Sequence, residues 1–362
     1  MNTIKSDITI VGGGVIGLAL GKFFSKDRKV ILLEKETQIG SHCSSRNSEV
    51  IHGGIYYEKD SLKAKFCNIG RNLLYEYADK KNIPYRKCGK LIFASSKDDL
   101  CRLDDILLNA RQNSVHLSLL SQRQIDKYDN FGKFVAAIFS PETGIVNSHD
   151  FLHSLAFDIE KNKGIISKNI KVKEVQTYKN EIELACIQKG EFFKIRSKKV
   201  FLSNASGALK LLKKLNPDKY KYHQNYFVKG HYYSYTKERF NGPLLYPIPD
   251  ELGLGVHLTM DMQGNIRFGP DTTVTETYND YTDTSSPDCF FTKIKKNFPK
   301  IDLNDIAFTY AGVRPKIKIK DKLINDFIIE DECNENLTAL MGIESPGLTA
   351  SLAIASHLYE NS

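Results

Sequence analysis

Ile8-Thr9-Ile10-Val11-Gly12-Gly13-Gly14-Val15-Ile16-Gly17-Leu18 opens the stretch whose reading decides the fold, and Val30-Ile31-Leu32-Leu33-Glu34 closes it. The β-branched run at 8–11 entering Gly12-Gly13-Gly14 predicts a buried strand that ends in a tight turn. Ile16, Leu20, Phe23 and Phe24 recur at helical spacing over 15–25, and residues 30–33 predict a second buried strand. Strand, helix and parallel strand make a βαβ unit. Gly12-x-Gly14-x-x-Gly17 stands at its first turn. The first glycine makes the turn, the second admits a pyrophosphate to the backbone, and the third lets helix and strand pack closely. Val15 and Ile16 begin the helix, whose free N–H groups suit phosphate oxygens. Glu34, followed by Lys35, ends the second strand, where a carboxylate accepts hydrogen bonds from ribose hydroxyls. The stretch therefore predicts a dinucleotide site, and it serves NAD and FAD equally well.

Outward from it, residues 61–81 predict an amphipathic helix carrying Leu62, Phe66, Ile69, Leu73, Leu74 and Tyr77 on one side, broken by Asn82-Ile83-Pro84. A strand at 91–94 precedes helices near 97–113 and 121–128. Residues 144–149 read as a loop, with Asp150 capping a helix through Glu160. Short strands follow at 165–166, 170–175, 182–187, 192–195 and 200–202. Residues 222–275 are strand-rich and aromatic, and a last helix follows Gly347. The expected fold class is α/β: a Rossmann-like nucleotide domain with an inserted, strand-rich α+β substrate domain. The expected division puts 1–88, 145–207 and 305–362 in the first, with 89–144 and 208–304 in the second.

Length and composition agree. A chain of 362 residues exceeds one ordinary core, and 41% apolar with 26% charged residues is a globular balance. The net charge of +8 is spread along the chain, densest at Lys213-Lys214, Lys293-Lys295-Lys296 and Lys316-Lys318-Lys320. That describes a solvated lysine-rich surface whose mild field suits acidic substrates or an anionic membrane face. No basic helix is interleaved with aromatics, which argues against nucleic acid. The seven cysteines are scattered, with no C-x-x-C and no zinc-type pairing, so neither a disulfide framework nor a metal site is expected. Asp7 interrupts any signal peptide, and no apolar run reaches membrane-spanning length. The expected location is the cytoplasm, or peripheral on the inner membrane.

Ser44-Ser45-Arg46-Asn47-Ser48-Glu49-Val50-Ile51-His52-Gly53-Gly54-Ile55-Tyr56-Tyr57 begins small and polar but ends too apolar for a solvent loop. In this block the chain resembles the L-2-hydroxyglutarate dehydrogenase/oxidase family of D-amino-acid-oxidase-like flavoproteins. The resemblance extends through Cys88-Gly89-Lys90-Leu91-Ile92, Ser140-Pro141-Glu142-Thr143-Gly144-Ile145-Val146 and Asn204-Ala205-Ser206-Gly207. It continues in Gly255-Val256-His257-Leu258-Thr259, Phe268-Gly269-Pro270-Asp271, Gly312-Val313-Arg314-Pro315-Lys316 and Gly342-Ile343-Glu344-Ser345-Pro346-Gly347-Leu348-Thr349. It implies FAD as the cofactor and a D-amino-acid-oxidase-like architecture. Ser44, Ser45, Arg46, Asn47, Ser48 and His52 would wrap the pyrophosphate and run under the isoalloxazine ring. Ile170, Ala205, Gly207, Gly312 and Arg314 would line the cofactor. Ser345, Pro346, Gly347, Leu348 and Thr349 would bring a helix N-terminus to the flavin.

The implied reaction oxidises L-2-hydroxyglutarate to 2-oxoglutarate, with hydride passing to flavin N5. It needs a base, a cation for the carboxylate and a dry cleft. Among nine histidines, His257 is expected as the base or substrate hydrogen-bond donor and His52 as a flavin-side partner. Some superfamily members carry flavin covalently on a histidine near the latter position. Arg314, stiffened by Pro315, is the expected carboxylate clamp. Tyr56, Lys229 and Tyr232 are expected to line the cavity or hold a second carboxylate, whereas His149, His223 and His231 read as ordinary. Oxygen, a quinone or an electron-transfer flavoprotein would accept the electrons. The same fold accommodates amine or amino-acid oxidases, glycerol-3-phosphate dehydrogenases and non-catalytic FAD-binding proteins.

Overall fold

The glycine-rich stretch forms a strand Thr3–Val11, a helix Val15–Phe24 and a strand Val30–Leu33. In the computed structural model, residues 3–128, 130–132, 134–249, 255–332 and 336–362 are described. Successive strand residues face opposite sides. Ile10, Leu32 and Phe201 join one core under the helices Val15–Phe24, Ser148–Lys161 and Gly347–Glu360. Val11, Leu33 and Leu202 join another beneath the helix Ser206–Leu215. Burial on both faces is why these strands read as unbroken apolar runs.

The first sheet has eight strands among the described residues. Its parallel centre runs Ile165–Ser167, Val30–Leu33, Thr3–Val11, Glu191–Leu202 and Leu337–Met341. The second sheet has ten strands, and the long strand His223–Arg239 is its axis. A small third sheet joins Val50–Ile51 to Gly144–Val146 and Tyr85–Arg86. The helix Leu62–Lys81 is capped by the Ser61 side chain and stopped by left-handed Asn82.

Several local expectations change. Residues 144–146 form a buried strand, because both edges find partners in the third sheet. The helix that follows is capped by Asn147, whose Oδ1 accepts from the backbone N–H of Asp150. The segments 192–195 and 200–202 belong to one strand, Glu191–Leu202. That strand stays paired to Thr3–Val11 while its other edge passes from the antiparallel Ile182–Gln188 to the parallel Leu337–Met341. Helices Ser206–Leu215 and Pro287–Asn297 were not anticipated. The strand Ile306–Ile319, which the sequence division groups with the nucleotide part, pairs along its length with His223–Arg239 in the second sheet. Six cysteines are free thiols, and Cys333 lies outside the described residues.

A Cβ on Gly17 would lie 1.9 Å from the carbonyl oxygen of Gly12, so only glycine lets the first helix approach the first strand. The Gly17→Ala variant is expected to push this helix away. It should lower stability by about 1–3 kcal/mol or more and reduce bound dinucleotide, read by thermal unfolding and cofactor absorbance. An alanine variant of normal stability and loading would contradict the packing described.

Candidate active site

A cavity of about 1090 Å³ runs from Glu34 and Lys35, past the N-terminus of the first helix, to His52, His257 and Arg314. Gly12 turns at φ 113°, where a side chain would meet Ser203 and Asn204. No side chain caps the first helix from Gly14, but Ser44 Oγ reaches in from the next block and accepts from Val15 N–H at 2.9 Å. Glu34 is buried, with Oε2 accepting from Gly13 N–H at 2.7 Å and Oε1 from Glu36 N–H at 2.8 Å. Each oxygen keeps a lone pair for a ribose hydroxyl. Asn204 Oδ1 is buried and unpartnered among the described residues. Turn, helix end and acid together fit an adenine dinucleotide.

The block after the second strand is rigid. Asn47 Nδ2 donates to the carbonyls of Cys43 and Ser44, and Tyr310 OH donates to Asn47 O. Ser45 Oγ donates to His42 O within the loop, and Ser48 lines the cavity. Arg46 lies 4.1 Å over the Tyr281 ring. Thr349 Oγ1 accepts from His52 N–H and donates to Val50 O, while His52 Nε2 meets Ser345 Oγ at 3.0 Å. The turn that carries Ser345 is anchored by Glu344, whose Oε1 takes Lys63 Nζ at 2.9 Å and Lys316 Nζ at 2.6 Å. Burial works to raise the Glu344 carboxyl, but the two ammonium groups outweigh it and hold it below the usual range. Pro346, Gly347 and Leu348 bring the N-terminus of the last helix to the cavity, with no side chain capping it.

A strap over 276–286 closes one side. His42 Nδ1 meets Tyr281 OH at 2.6 Å, and Tyr278 lines the cavity. Asp280 Oδ2 takes Lys229 Nζ at 2.5 Å, and Lys229 also donates to Thr282 O and Thr284 Oγ1. His231, buried beside them, bonds Asp271 through Nδ1 and Thr284 through Nε2.

The far end gathers His257, His52 and Arg314. His257 Nδ1 donates to Gly255 O at 3.1 Å, which leaves Nε2 as an acceptor. Its ring stacks on Tyr246 at 3.8 Å. Burial, with Lys90, His52 and Arg314 nearby, lowers His257 to about 3, although the Gly255 hydrogen bond opposes this. Burial likewise lowers His52 to about 3, helped by Lys90 and Lys63. Both imidazoles are therefore neutral near pH 7. Among the described residues the Arg314 guanidinium has no hydrogen bond or ion pair. Tyr56 OH is buried and unpartnered, and Tyr232 stacks on Tyr310 at 4.5 Å.

The structure thus gathers His257, His52, Arg314, Tyr56 and Tyr232 on one cavity with Ile170, Ala205, Gly207 and Gly312. Gly17, Ser45 and Thr349, also expected at the cofactor, are not among the lining residues. Lys229 is not among the lining residues, because its ammonium is taken by the strap. Sequence reasoning missed Lys90. It is 1% exposed and sits 4.6 Å from the centre of the Tyr56 ring and 4.7 Å from that of Tyr246.

The family described as FAD dependent oxidoreductase matches residues 7–360. L-2-hydroxyglutarate dehydrogenase, mitochondrial, of Arabidopsis thaliana is 33% identical over 98% of this chain and 83% of its own length. The human protein of that name is 29% identical over 98% of this chain and 88% of its own. L-alpha-glycerophosphate oxidase from Mycoplasma pneumoniae, solved dithionite-reduced with FAD bound, superposes with a TM-score of 0.87 at 25% identity. It covers 99% of this chain and 95% of its own. Glycine oxidase from Geobacillus kaustophilus shares the fold at a TM-score of 0.80 and 18% identity, over 99% and 95% of the two chains. No described helix of the present chain is long and apolar enough to cross a membrane.

Two outcomes follow from this geometry. An unfolded histidine titrates near 6.5, whereas native His257 does so at about 3. Between those values the unfolded chain binds more protons, so stability falls as pH drops below 6.5. His257 alone is expected to remove about 2 kcal/mol between pH 8 and pH 5, and His257→Gln should flatten that part of a urea-unfolding series. Separately, Asp280→Asn leaves the Lys229 ammonium buried without its carboxylate. This variant should lose about 3 kcal/mol or more, and Lys229→Met, which leaves a partly exposed aspartate, should lose less. The reverse ranking would refute the strap as described.

Proposed function

The chain belongs to the FAD-dependent oxidoreductase family, and on that premise we propose that it oxidises the CH–OH carbon of an L-2-hydroxy acid, foremost L-2-hydroxyglutarate, to the 2-oxo acid. The observation that carries this reading is Arg314. Among the described residues it is an unpaired guanidinium, on the same cavity as a neutral imidazole whose free nitrogen is an acceptor. A carboxylate beside a hydroxyl carbon matches that pair. The names of the relatives support the same substrate class.

FAD, the cofactor of this family, supplies the acceptor for the hydride leaving the substrate carbon. Gly12, Gly14, Glu34, Ser44 and the N-terminus of the first helix would hold its adenosine and pyrophosphate portion. The block through His52 and the turn at Ser345–Leu348 would hold the ring portion. Arg314 binds the substrate carboxylate through its planar fork. His257 Nε2 takes the hydroxyl proton, with the Nδ1–Gly255 bond fixing the tautomer. Tyr56 and Tyr232 wall the cleft, and the unpartnered Tyr56 hydroxyl offers a donor to a substrate oxygen. His52, held by Ser345 and the Thr349 hydroxyl, keeps the flavin side of the cavity in register. The labour divides between the large sheets, the first carrying the cofactor and the second the substrate wall with Arg314.

Anaerobic mixing tests the reading. L-2-hydroxyglutarate should bleach the flavin, whereas L-alpha-glycerophosphate and glycine should not. His257→Ala should slow the bleaching about 100- to 10,000-fold at saturating substrate. Arg314→Met should lower kcat/KM about a hundredfold, with partial recovery in Arg314→Lys. Bleaching by the phosphate ester or the amine alone would overturn the hydroxy-acid assignment. A far larger effect of His52→Ala than of His257→Ala would move the base to His52.

A further inference from the structure

Lys90 opens the strand Lys90–Ala94, every residue of which is buried. Among the described residues its ammonium has no carboxylate partner and no hydrogen bond. What holds it is the pair of ring faces of Tyr56 and Tyr246. Both tyrosines line the cavity, and Tyr246 is the ring on which His257 stacks. An ammonium so placed is unfavourable unless something else compensates it, since aromatic faces do not replace lost hydration.

The surrounding charges do not compensate it. Helix Leu62–Lys81 faces it with the Cys67 thiol, and Lys63 and Arg71 lie on the same helix. Burial raises that thiol to about 12, so it carries no charge. Tyr56, Tyr57 and Tyr246 are raised by burial and are neutral too. His52 and His257 are uncharged, and Arg314 adds a second cation. The one carboxylate at this end of the cavity among the described residues, Glu344, is already shared by Lys63 and Lys316. Among the described residues, the substrate end therefore holds two basic groups, Arg314 and Lys90, and no unshared carboxylate. Burial lowers Lys90 itself to about 7, so its charge is sensitive to what enters the cavity.

We propose that Lys90 is a specificity-determining charge, which with Arg314 makes this cavity select substrates carrying two negative charges. In the 2-hydroxy-acid reading, on which the identity of those charges rests, Arg314 takes the carboxylate next to the hydroxyl. Lys90, acting from behind the Tyr56–Tyr246 wall, draws in the second one. Its field is effective there because the wall excludes water. This makes Lys90 a positioning residue, acting through the tyrosines and not by contact with the reacting atoms.

The test uses the FAD-loaded enzyme and two matched pairs of compounds. L-2-hydroxyglutarate and L-2-hydroxyvalerate differ only in a terminal carboxylate against a methyl, and their flavin-reduction kcat/KM values give a selectivity ratio. Glutarate and valerate, read by perturbation of the oxidised flavin spectrum, give the same ratio without any reaction. Wild type should favour each diacid about tenfold or more, Lys90→Arg should retain most of this, and Lys90→Met should bring the pair within about threefold. In wild type the preference should also decline between pH 7 and pH 9, as Lys90 loses its proton. That series decides the matter even if Lys90→Met fails to load flavin. A ratio unchanged in Lys90→Met, or one flat with pH in wild type, overturns the role of Lys90. If neither hydroxy acid reduces the wild-type flavin, the hydroxy-acid assignment fails, and the glutarate–valerate comparison still judges Lys90.

Discussion

Glu344 sits where three separate parts of the molecule meet, and its buried carboxylate joins them. Lys63 reaches it from the helix Leu62–Lys81, and Lys316 reaches it from the strand Ile306–Ile319 of the second sheet. Glu344 itself belongs to the turn leading into the last helix, which packs on the first sheet. Burying these charges is unfavourable, so the arrangement holds only because the geometry is tight and both ammonium groups converge on one oxygen. The turn fixed in this way places Ser345 and Thr349 against His52. This one carboxylate thereby ties the helix Leu62–Lys81, the second sheet and the last helix together at the cavity.

Charge is distributed by purpose. Where it builds the fold, it is paired: Glu183 with Lys194 and Arg196, Arg267 with Glu49 and Asp261, Asp271 with His231 and Lys293. Among the described residues, at the His257–Arg314 end of the cavity the pairing stops. Arg314 and Lys90 are left unsatisfied, and the two histidines beside them stay neutral. Native structures rarely leave buried ionisable groups uncompensated without a functional reason. This contrast within one molecule is what sets the His257–Arg314 end of the cavity apart from the rest of the chain.

How much of this was legible in the sequence depended on how local the cause was. The βαβ unit, the glycine turn and the helix over 61–81 announce themselves because turn chemistry and apolar period act over a few residues. The strand Glu191–Leu202 was hidden by the polar Ser197, Lys198 and Lys199 in its middle. The stretch stays in a strand because Thr3–Val11, far away in the chain, holds one edge while the other passes from Ile182–Gln188 to Leu337–Met341. Gly144 suggested a loop, whereas its neighbours Val50–Ile51 and Tyr85–Arg86 make it a ladder position. In the site, His257, Arg314 and Tyr56 were recoverable from residue type and from the resemblance. Lys229 carries the same chemistry as a ligand-binding lysine, and only the position of Asp280 shows that its charge is spent on the strap. Lys90 lay one residue outside the strand expected at 91–94. Its signal was a lysine at the head of an otherwise apolar run, which is silent until the burial of that strand is known.

The exchange of partners along Glu191–Leu202 has a consequence for the order in which the molecule can be made. Thr3–Val11 emerges first, yet it pairs with residues 194–202, and the stretch 200–202 in turn pairs with 337–339. The glycine turn at the head of the chain therefore waits for almost the whole chain before its sheet is complete. Closing such distant pairs is slow compared with forming the local helices and the hairpins of the second sheet. When His223–Arg239 of the second sheet has been made, the first sheet already has Glu191–Leu202 but still lacks its last strands, Ile328–Glu332 and Leu337–Met341. Flavin can stabilise the folded chain only late, after translation has passed Met341, and until then the first sheet exposes open edges that other chains can reach.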